Sequence, residues 1–265
     1  MNKTNNNKRQ STIDEGVLIY AKSDADRAVV RAIEEKLGTE SVDKLPAALS
    51  RGFYLQIDEN GLALVENQLI LRGDFTKSLS RLTPNNLNSE LLVRASKLKG
   101  MEPPFTAVDA TAGLGEDALL LAAAGFHVHM YERNPVIAAL LDDALRRGMD
   151  DARLAPVISR MKLHMEDSIA VLPQLDTAPD IVVLDPMFPA RQKSGLVKKK
   201  LQLLQQIEQP CSDEAALLDA AISSGPRRIV IKRPLKGPYL ADVKPSYSIK
   251  GKAIRYDCIA LPHHS

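Results

Sequence analysis

Cysteines and long apolar stretches are both scarce in this sequence, and each shortage excludes a class of protein. The 265 residues include two cysteines, Cys211 and Cys258, which fit neither a disulfide framework nor a cluster of zinc ligands. No run of 18 or more apolar residues occurs, so we expect no membrane span. Residues 1–16 lack the apolar middle of a secretory signal and are expected to form a disordered lead. These features together predict a cytoplasmic protein without a metal site.

The basic residues are unevenly distributed, although the net charge is only +2. Residues 191–200 contain five basic side chains and no acidic one, and residues 227–255 contain nine basic side chains against Asp242 alone. Both segments lie in the C-terminal half, which predicts one basic face and an anionic partner. Ordinary solvated lysines on helix surfaces are the alternative interpretation.

The periodicity of the first part of the chain predicts a small α/β subdomain over residues 17–85. It begins with a strand at Val17–Ala21 and a helix at Asp24–Leu37, which Ser23 or Asp24 caps and Gly38 ends. A hairpin follows, with Asn60-Gly61 as its two-residue turn. A second helix is predicted at Leu87–Leu98, where the main domain, residues 86–265, begins.

Strands and helices alternate along the main domain, which predicts a doubly wound, mostly parallel sheet. The predicted strands are Thr106–Asp109, His127–Glu132, Arg160–His164, Ile181–Leu184 and Arg228–Lys232. The predicted helices are Glu116–Ala124, Pro135–Arg147, Ser168–Leu172, Lys198–Ile207 and Asp213–Ser223. The tail, Tyr247–Leu261, is predicted to form a hairpin at the edge of this sheet.

A glycine-containing loop, Asp109–Gly115, joins the first strand of the main domain to a helix. Gly113 and Gly115 allow a tight turn and a close approach of the backbone to a ligand, although a plain strand-to-helix turn has the same pattern. The carboxylates of Asp109, Glu116 and Asp117 would repel a pyrophosphate and attract a cation. They therefore favour S-adenosylmethionine over a dinucleotide, whereas Glu132 at the end of the next strand suits the ribose of either.

A second loop, Asp185–Pro189, follows the apolar strand Ile181–Leu184. It resembles the Asp/Asn-Pro-Pro-Tyr/Phe loop of methyltransferases that act on exocyclic or amide nitrogens. In that resemblance the Asp185 carboxylate and the Pro186 carbonyl accept hydrogen bonds from the target NH₂ and position its nitrogen for attack. Phe188 would stack on a base that has been flipped out. A core phenylalanine and a loop-capping aspartate are the structural alternatives.

Basic residues near this loop are predicted to contact RNA phosphates. They are Arg191, Lys193, Lys198, Lys199, Lys200, Lys232 and Arg233. The five histidines and two cysteines form no catalytic or metal-ligand pattern.

Longer runs resemble the ribosomal RNA small subunit methyltransferase J family between Val108 and Ile259. They are VDATAGLGEDA, ERNPVIAALLDDALRRG, LDPMFPARQKSGLVKKK, VIKRP and KGKAIRYD. The resemblance implies a Rossmann-like class I methyltransferase that uses S-adenosylmethionine to methylate the exocyclic N2 of a guanine in 16S ribosomal RNA, either free or in the small subunit.

Carried over to this sequence, the family's cofactor contacts fall on Glu116, Asp117, Glu132, Arg133, Glu166, Asp167 and Asp185. The family has arginine where this chain has Glu116 and two serines where it has Glu166 and Asp167. Three alternatives remain open from the sequence: a methyltransferase for DNA amines or protein amides, an RNA-binding module without catalysis, and a dinucleotide oxidoreductase.

Overall fold

A computed structural model describes residues 17–46, 53–67, 69–98, 100, 103–186, 203, 207 and 213–262 of the chain. The chain divides into two units. The first comprises Met1–Gly73, Pro135–Arg147 and Pro189–Gln209, and the second comprises Asp74–Asn134, Gly148–Phe188 and Pro210–Ser265. Among the described residues, no helix is both long and apolar enough to cross a membrane.

The first unit contains a five-stranded sheet among its described residues. Its elements are β1 (Ile19–Ala21), α1 (Arg27–Leu37), β2 (Ser41–Val42), β3 (Phe53–Asp58), β4 (Gly61–Glu66) and β5 (Leu69–Leu71). The strand order is β2-β1-β3-β4-β5, with β1 parallel to both neighbours. Helix α1 ends at Gly38 as predicted. It begins later than predicted, because the Asp26 side chain accepts a hydrogen bond from Ala28 N–H and caps the helix there.

The predicted turn of the β3–β4 hairpin is displaced by one residue. Asp58 pairs with Gly61, so Glu59 and Asn60 form the turn, and Gly61 begins β4 with φ 95°. The Asp58 carboxylate stabilises this turn by accepting a hydrogen bond from Asn60 N–H at 2.9 Å. Arg72 also donates to Asp58, at 2.6 Å. Glycine is therefore required after the turn rather than within it.

The second unit contains seven paired strands among its described residues, and they form one mostly parallel sheet. The strands are β6 (Phe105–Asp109), β7 (Phe126–Tyr131), β8 (Met161–His164), β9 (Ile181–Leu184), β10 (Arg228–Pro234), β11 (Tyr247–Lys250) and β12 (Ile254–Ala260). The order is β11-β12-β10-β9-β6-β7-β8, and β12 is antiparallel to both of its neighbours. The predicted doubly wound fold and its C-terminal hairpin are confirmed.

Most of the remaining helices follow a parallel strand in the sequence, and one of them, Pro135–Met149, belongs to the first unit as far as Arg147. They are α2 (Pro84–Ser89), α3 (Leu91–Ser96), α4 (Glu116–Ala123), α5 (Pro135–Met149), α6 (Ala155–Ile158), α7 (Ser168–Val171) and α8 (Glu214–Ser223). A 3₁₀ helix, Phe75–Leu82, precedes α2. The predicted helix Lys198–Ile207 lies outside the described residues, apart from the helical, buried Leu203 and Ile207.

The single helix predicted at Leu87–Leu98 is wrong, because the chain forms α2 and α3 with a break between them. Glu90 adopts extended backbone, with ψ 129°, at the junction. Its carboxylate accepts hydrogen bonds from Arg81 Nε at 2.8 Å and Nη2 at 3.1 Å. The break therefore coincides with a side-chain pairing to the preceding 3₁₀ helix, which the local periodicity of the sequence does not reveal.

Strand alternation gives the sheet one mainly apolar face, on which the buried Arg233 and Arg255 also lie, and one mixed face. On the apolar face, Leu184 of β9 and Ile231 of β10 pack in a core cluster with Leu217 of α8. Strand β9 is fully buried, as its uninterrupted apolar sequence predicted. Between β6 and β9 the strand order reverses direction, so their carboxyl ends meet at the point where such sheets bind ligands.

Candidate active site

Four polar side chains gather on the mixed face near the carboxyl ends of the strands. Asp109 ends β6, Asp185 follows β9, Lys232 lies in β10, and Tyr256 of β12 pairs directly with Lys232. Alternation along β10 places Arg233 on the opposite face, where it pairs with Glu214 of α8 at 3.1 Å. Adjacent basic residues of one strand therefore have separate surroundings.

The Lys232 ammonium bridges two carboxylates that were predicted separately as cofactor contacts. Its Nζ lies 2.8 Å from Asp117 Oδ2 and 2.9 Å from Asp185 Oδ2. Asp117 is in the first turn of α4, and Asp185 follows β9. Burial lowers the pKa of Lys232, but Asp117 and Asp185 outweigh it, so that its pKa is raised well above the usual value. Lys232 is therefore charged at any physiological pH.

Asp109 is the most deeply buried acid of the group, with 2% of its surface exposed. Loss of hydration raises its pKa to about 7, and the negative charges of Asp117 and Asp185 contribute to the rise. A hydrogen bond from Thr111 N–H at 3.2 Å opposes it. The site thus holds an acid that is partly protonated near neutral pH.

The glycine loop is tied to the segment that carries Asp185. The Asp185 N–H donates to Thr111 Oγ1 at 2.7 Å, and Ala110 N–H donates to the Val183 carbonyl at 3.0 Å. These bonds fix the start of the predicted reaction loop, including the buried Pro186. Residues 187–189, and with them the predicted base-stacking Phe188, lie outside the described residues.

The carboxylate at the end of β7 is held against the glycine loop. Glu132 Oε2 accepts from Gly113 N–H at 3.0 Å, and Oε1 accepts from Asn134 N–H at 2.8 Å. Burial raises the pKa of Glu132, whereas these hydrogen bonds lower it. Gly113 has φ 53°, and a Cβ there would meet no protein atom within 4 Å. Gly115, with φ 77°, is the N-cap residue of α4. The backbone at Gly113 therefore borders open space next to the Glu132 carboxylate, whose orientation is fixed by its two hydrogen bonds.

The remaining predicted cofactor residues lie farther along the same edge. Arg133 Nη1 is 3.7 Å from Asp167 Oδ2, and Asp167 also caps α7 by accepting from Ile169 N–H at 3.0 Å. Glu166 is exposed, 3.8 Å from His164 Nδ1, and Glu116 is exposed at the start of α4. The structure joins Arg133 to Asp167, whereas the roles of Glu116, Glu166 and Asp167 toward a ligand stay predictions.

Two of the predicted phosphate contacts need correction. Arg233 is 1% exposed, pairs with Glu214 and donates to the Pro238 carbonyl at 2.9 Å, so it does not face a surface ligand. Lys232 is engaged by Asp117 and Asp185 instead of pointing outward. The other predicted phosphate contacts, Arg191, Lys193, Lys198, Lys199 and Lys200, lie outside the described residues.

The prediction from sequence missed the contribution of the antiparallel strand β12 to this site. Tyr256 is 3% exposed, and burial together with the neighbouring Asp117 raises the pKa of its hydroxyl. Thr111, which receives the Asp185 N–H, was also missed. Side chains of a strand alternate between the two faces of a sheet, so continuing this alternation past Val230 would have placed Lys232 and Arg233 on opposite faces. The pairing of Tyr256 with Lys232 depends on strand register, for which the sequence carries no local signal.

Comparison with known proteins places this geometry in a family. The family model described as SAM-dependent methyltransferase matches residues 41–260. Ribosomal RNA small subunit methyltransferase J of Marinobacter nauticus is 37% identical over 242 residues, which span 88% of this chain and 87% of the relative. The chain belongs to the ribosomal RNA small subunit methyltransferase J family. The relative of the same name from Pseudomonas aeruginosa is 39% identical over 213 residues, covering 77% of this chain and 81% of its own.

A solved structure of a SAM-dependent methyltransferase has the same fold as this methyltransferase J family member. The crystal structure of a SAM-dependent methyltransferase from Neisseria gonorrhoeae superposes with a TM-score of 0.74 at 29% identity. The superposition covers 93% of this chain and 99% of the other. Because that match extends over nearly the whole of both chains, it includes the region of the candidate site.

The site residues fit S-adenosylmethionine, the cofactor of this family. Asp109, Asp117 and Asp185 contribute three carboxyl groups against the single ammonium of Lys232, so the loop favours a cation and opposes a pyrophosphate. The open space at Gly113 beside Glu132 suits the approach of a ribose. Within the described ranges, no group of three or more His, Cys, Asp or Glu side chains could hold a metal ion.

Proposed function

We propose that this enzyme transfers a methyl group from S-adenosylmethionine to the exocyclic N2 of a guanine in 16S ribosomal RNA of the small subunit. The observation that carries the proposal is the placement of Asp185 and Pro186. They follow β9 directly, Thr111 fixes the Asp185 backbone, and Lys232 holds its carboxylate. A ribosomal RNA substrate is also what the relatives' names state for those proteins, and it suggests a cytoplasmic location.

The proposed chemistry needs acceptors more than it needs a strong base. When bound, S-adenosylmethionine supplies an electrophilic methyl group on a sulfonium, and S-adenosylhomocysteine is the leaving product. The lone pair of an aryl NH₂ is delocalised into its ring. Hydrogen bonds from that NH₂ to the Asp185 carboxylate and the Pro186 carbonyl would localise and aim the lone pair. As the N–C bond forms and the C–S bond breaks, the nitrogen loses one proton, which the Asp185 carboxylate accepts and passes to water.

Lysines at the same edge of the sheet offer phosphate contacts in place of Lys232 and Arg233. Strand β11 runs in the same direction as β10, so both strands end at the edge where Asp185 lies. Lys236 follows β10, Lys250 ends β11 and Lys252 is in the turn before β12, and all three are exposed. We expect them to bind the RNA backbone, which gives affinity without reading sequence.

Labelled methyl transfer to different acceptors tests the substrate. The purified protein would be incubated with tritiated S-adenosylmethionine and naked 16S rRNA, small ribosomal subunits, DNA or a protein extract. We expect label in the RNA or the subunits, and nucleoside digestion should yield N2-methylguanosine. Label confined to protein or DNA would refute the proposal and support an amide or DNA-amine methyltransferase. Comparing rRNA from cells with and without the protein would then identify the nucleotide.

The carboxylate of Asp185 is tested by Asp185→Ala in the same assay. We expect transfer to be abolished, with S-adenosylhomocysteine affinity, measured by isothermal titration, largely unchanged. Asp176→Asn, which changes an exposed aspartate of the second unit, is the matched control. Near-normal turnover by Asp185→Ala would show that another group positions the amine.

A further inference from the structure

Among the described residues, only Lys232 forms ion pairs with two acidic side chains that come from different elements at the active-site edge of the sheet. Its Nζ is 2.8 Å from Asp117 of α4 and 2.9 Å from Asp185 after β9. We propose that Lys232 is a positioning residue, which keeps Asp185 ionised and anchors its carboxylate for the target amine. What Asp185 does with that amine rests on the proposed function, whereas the ion-pair geometry does not.

The surroundings of Lys232 explain why Asp185 requires a counter-ion. Lys232 contacts Asp117 and Asp185 and interacts electrostatically with Asp109, and its side chain is 26% exposed. The other groups that influence this cluster are Tyr256 of β12, Arg81 of the 3₁₀ helix and Arg233. Arg81 is paired with Glu90, and Arg233 is paired with Glu214 on the opposite face. Lys232 is therefore the cation that pairs directly with this cluster, which keeps an excess of negative charge when all three carboxyl groups are ionised.

The directions of the pKa shifts agree with this assignment. Burial raises the pKa of Asp185 above its usual value, and the charge of Lys232 is the largest influence that limits this rise. A carboxyl group that becomes protonated has one oxygen that donates rather than accepts, so it would no longer aim an NH₂ group. Asp117 is the second partner of Lys232. It lies in the first turn of α4, and its ion pair with the Lys232 ammonium keeps that ammonium next to Asp185.

Lys232→Met tests the inference, because it keeps the unbranched apolar part of the side chain and removes the ammonium group. A nearby opposite charge lowers the pKa of a carboxyl group by about one to three pH units. We therefore expect the acidic limb of the kcat profile to move upward by that amount, with the S-adenosylhomocysteine affinity at pH 9 changed less than fivefold. Lys232→Arg should restore the limb toward its original position. Lys77→Met, at a surface lysine that is 71% exposed, is the control.

A second readout is independent of cofactor and substrate. In urea unfolding of the free protein, Lys232→Met should lose stability between pH 5 and pH 8 more steeply than the original protein, because ionised Asp109, Asp117 and Asp185 then repel one another. Adding Asp117→Asn to Lys232→Met removes one of those charges. The double variant should recover part of the original pH dependence of stability and should move the acidic limb back toward its original position, because Lys232 influences Asp185 more strongly than Asp117 does.

The outcomes separate this inference from the proposed function. An unmoved acidic limb together with a stability profile parallel to that of the original protein would overturn the role of Lys232. Absence of RNA methylation by the original protein would refute the proposed function, while the unfolding experiment would still test the counter-ion. If Lys232→Met folds only below pH 6, recovery of folding at pH 8 by Asp117→Asn supports the inference, and failure to recover contradicts it.

Discussion

Replacing Asp109 with asparagine tests the electrostatics of the active site without touching the reaction loop. The carboxyl group is 2% exposed and lies near Asp117 and Asp185. Asparagine has nearly the same shape, and its Oδ1 can still accept the hydrogen bond from Thr111 N–H. The substitution therefore removes an ionisable group from the cluster while preserving its packing.

The expected magnitude follows from the pKa of Asp109, which rises from 3.8 to about 7 on folding. A group whose pKa is raised by folding contributes stability that is complete below its unfolded pKa and is lost as the pH rises through the folded value. At pH 5 the folded carboxyl is about 99% protonated, and at pH 8 it is about 10% protonated, from its folded pKa. This group alone thus lowers the free energy of unfolding by about 3 kcal/mol between pH 5 and pH 8.

Urea unfolding at both pH values measures the effect. The difference in unfolding free energy between Asp109→Asn and the original protein should shift in favour of the variant by about 3 kcal/mol from pH 5 to pH 8. Asp176→Asn should show no such shift. A shift below about 0.5 kcal/mol, or one of opposite sign, would refute the inference that the buried, ionised Asp109 carboxylate destabilises the folded protein. A confirmed shift would show that the ionised Asp109 carboxylate is unfavourable in the folded protein without a bound cation.

Three further predictions concern the loops and the basic surface. Gly61→Ala should destabilise the protein by about 1–3 kcal/mol in urea unfolding, because its φ is 95° and the new Cβ would lie 2.5 Å from Asp143 Oδ2; a neutral result would contradict the hairpin geometry. Gly113→Val should weaken S-adenosylhomocysteine binding at least tenfold in isothermal titration, because its Cβ would enter the open space beside Glu132; unchanged affinity would place the cofactor elsewhere. Charge reversal of Lys236, Lys250 and Lys252 to Glu should make RNA binding less dependent on salt. If each lysine contacts one phosphate, the slope of log K against log salt should fall by about 2. Charge reversal of Lys198–Lys200 should have the same effect. A slope unchanged from that of the control Lys77→Glu would remove the reversed group from the RNA surface.

The sequence by itself predicted the strands of the main domain, the glycine loop and the position of Asp185 and Pro186 directly after Ile181–Leu184. Apolar strands such as Ile181–Leu184 and glycines such as Gly113 and Gly115 carry local signals, because burial and positive φ each restrict the residue types that fit. The family resemblance followed from long runs around the same loops. The helix predicted at Leu87–Leu98 is divided at Glu90, whose carboxylate pairs with Arg81 of the preceding 3₁₀ helix, a contact for which helical periodicity gives no signal.

Only the tertiary structure decided what the charged side chains of the site do. Lys232 and Arg233 are adjacent and equally basic in the sequence, yet one bridges Asp117 and Asp185 and the other is buried against Glu214. Their difference arises from the two faces of β10 and from its neighbours β9 and β12, which come from distant parts of the chain. Two loops that the sequence presents separately become one site, because parallel strands place the residues that follow them at the same edge of the sheet.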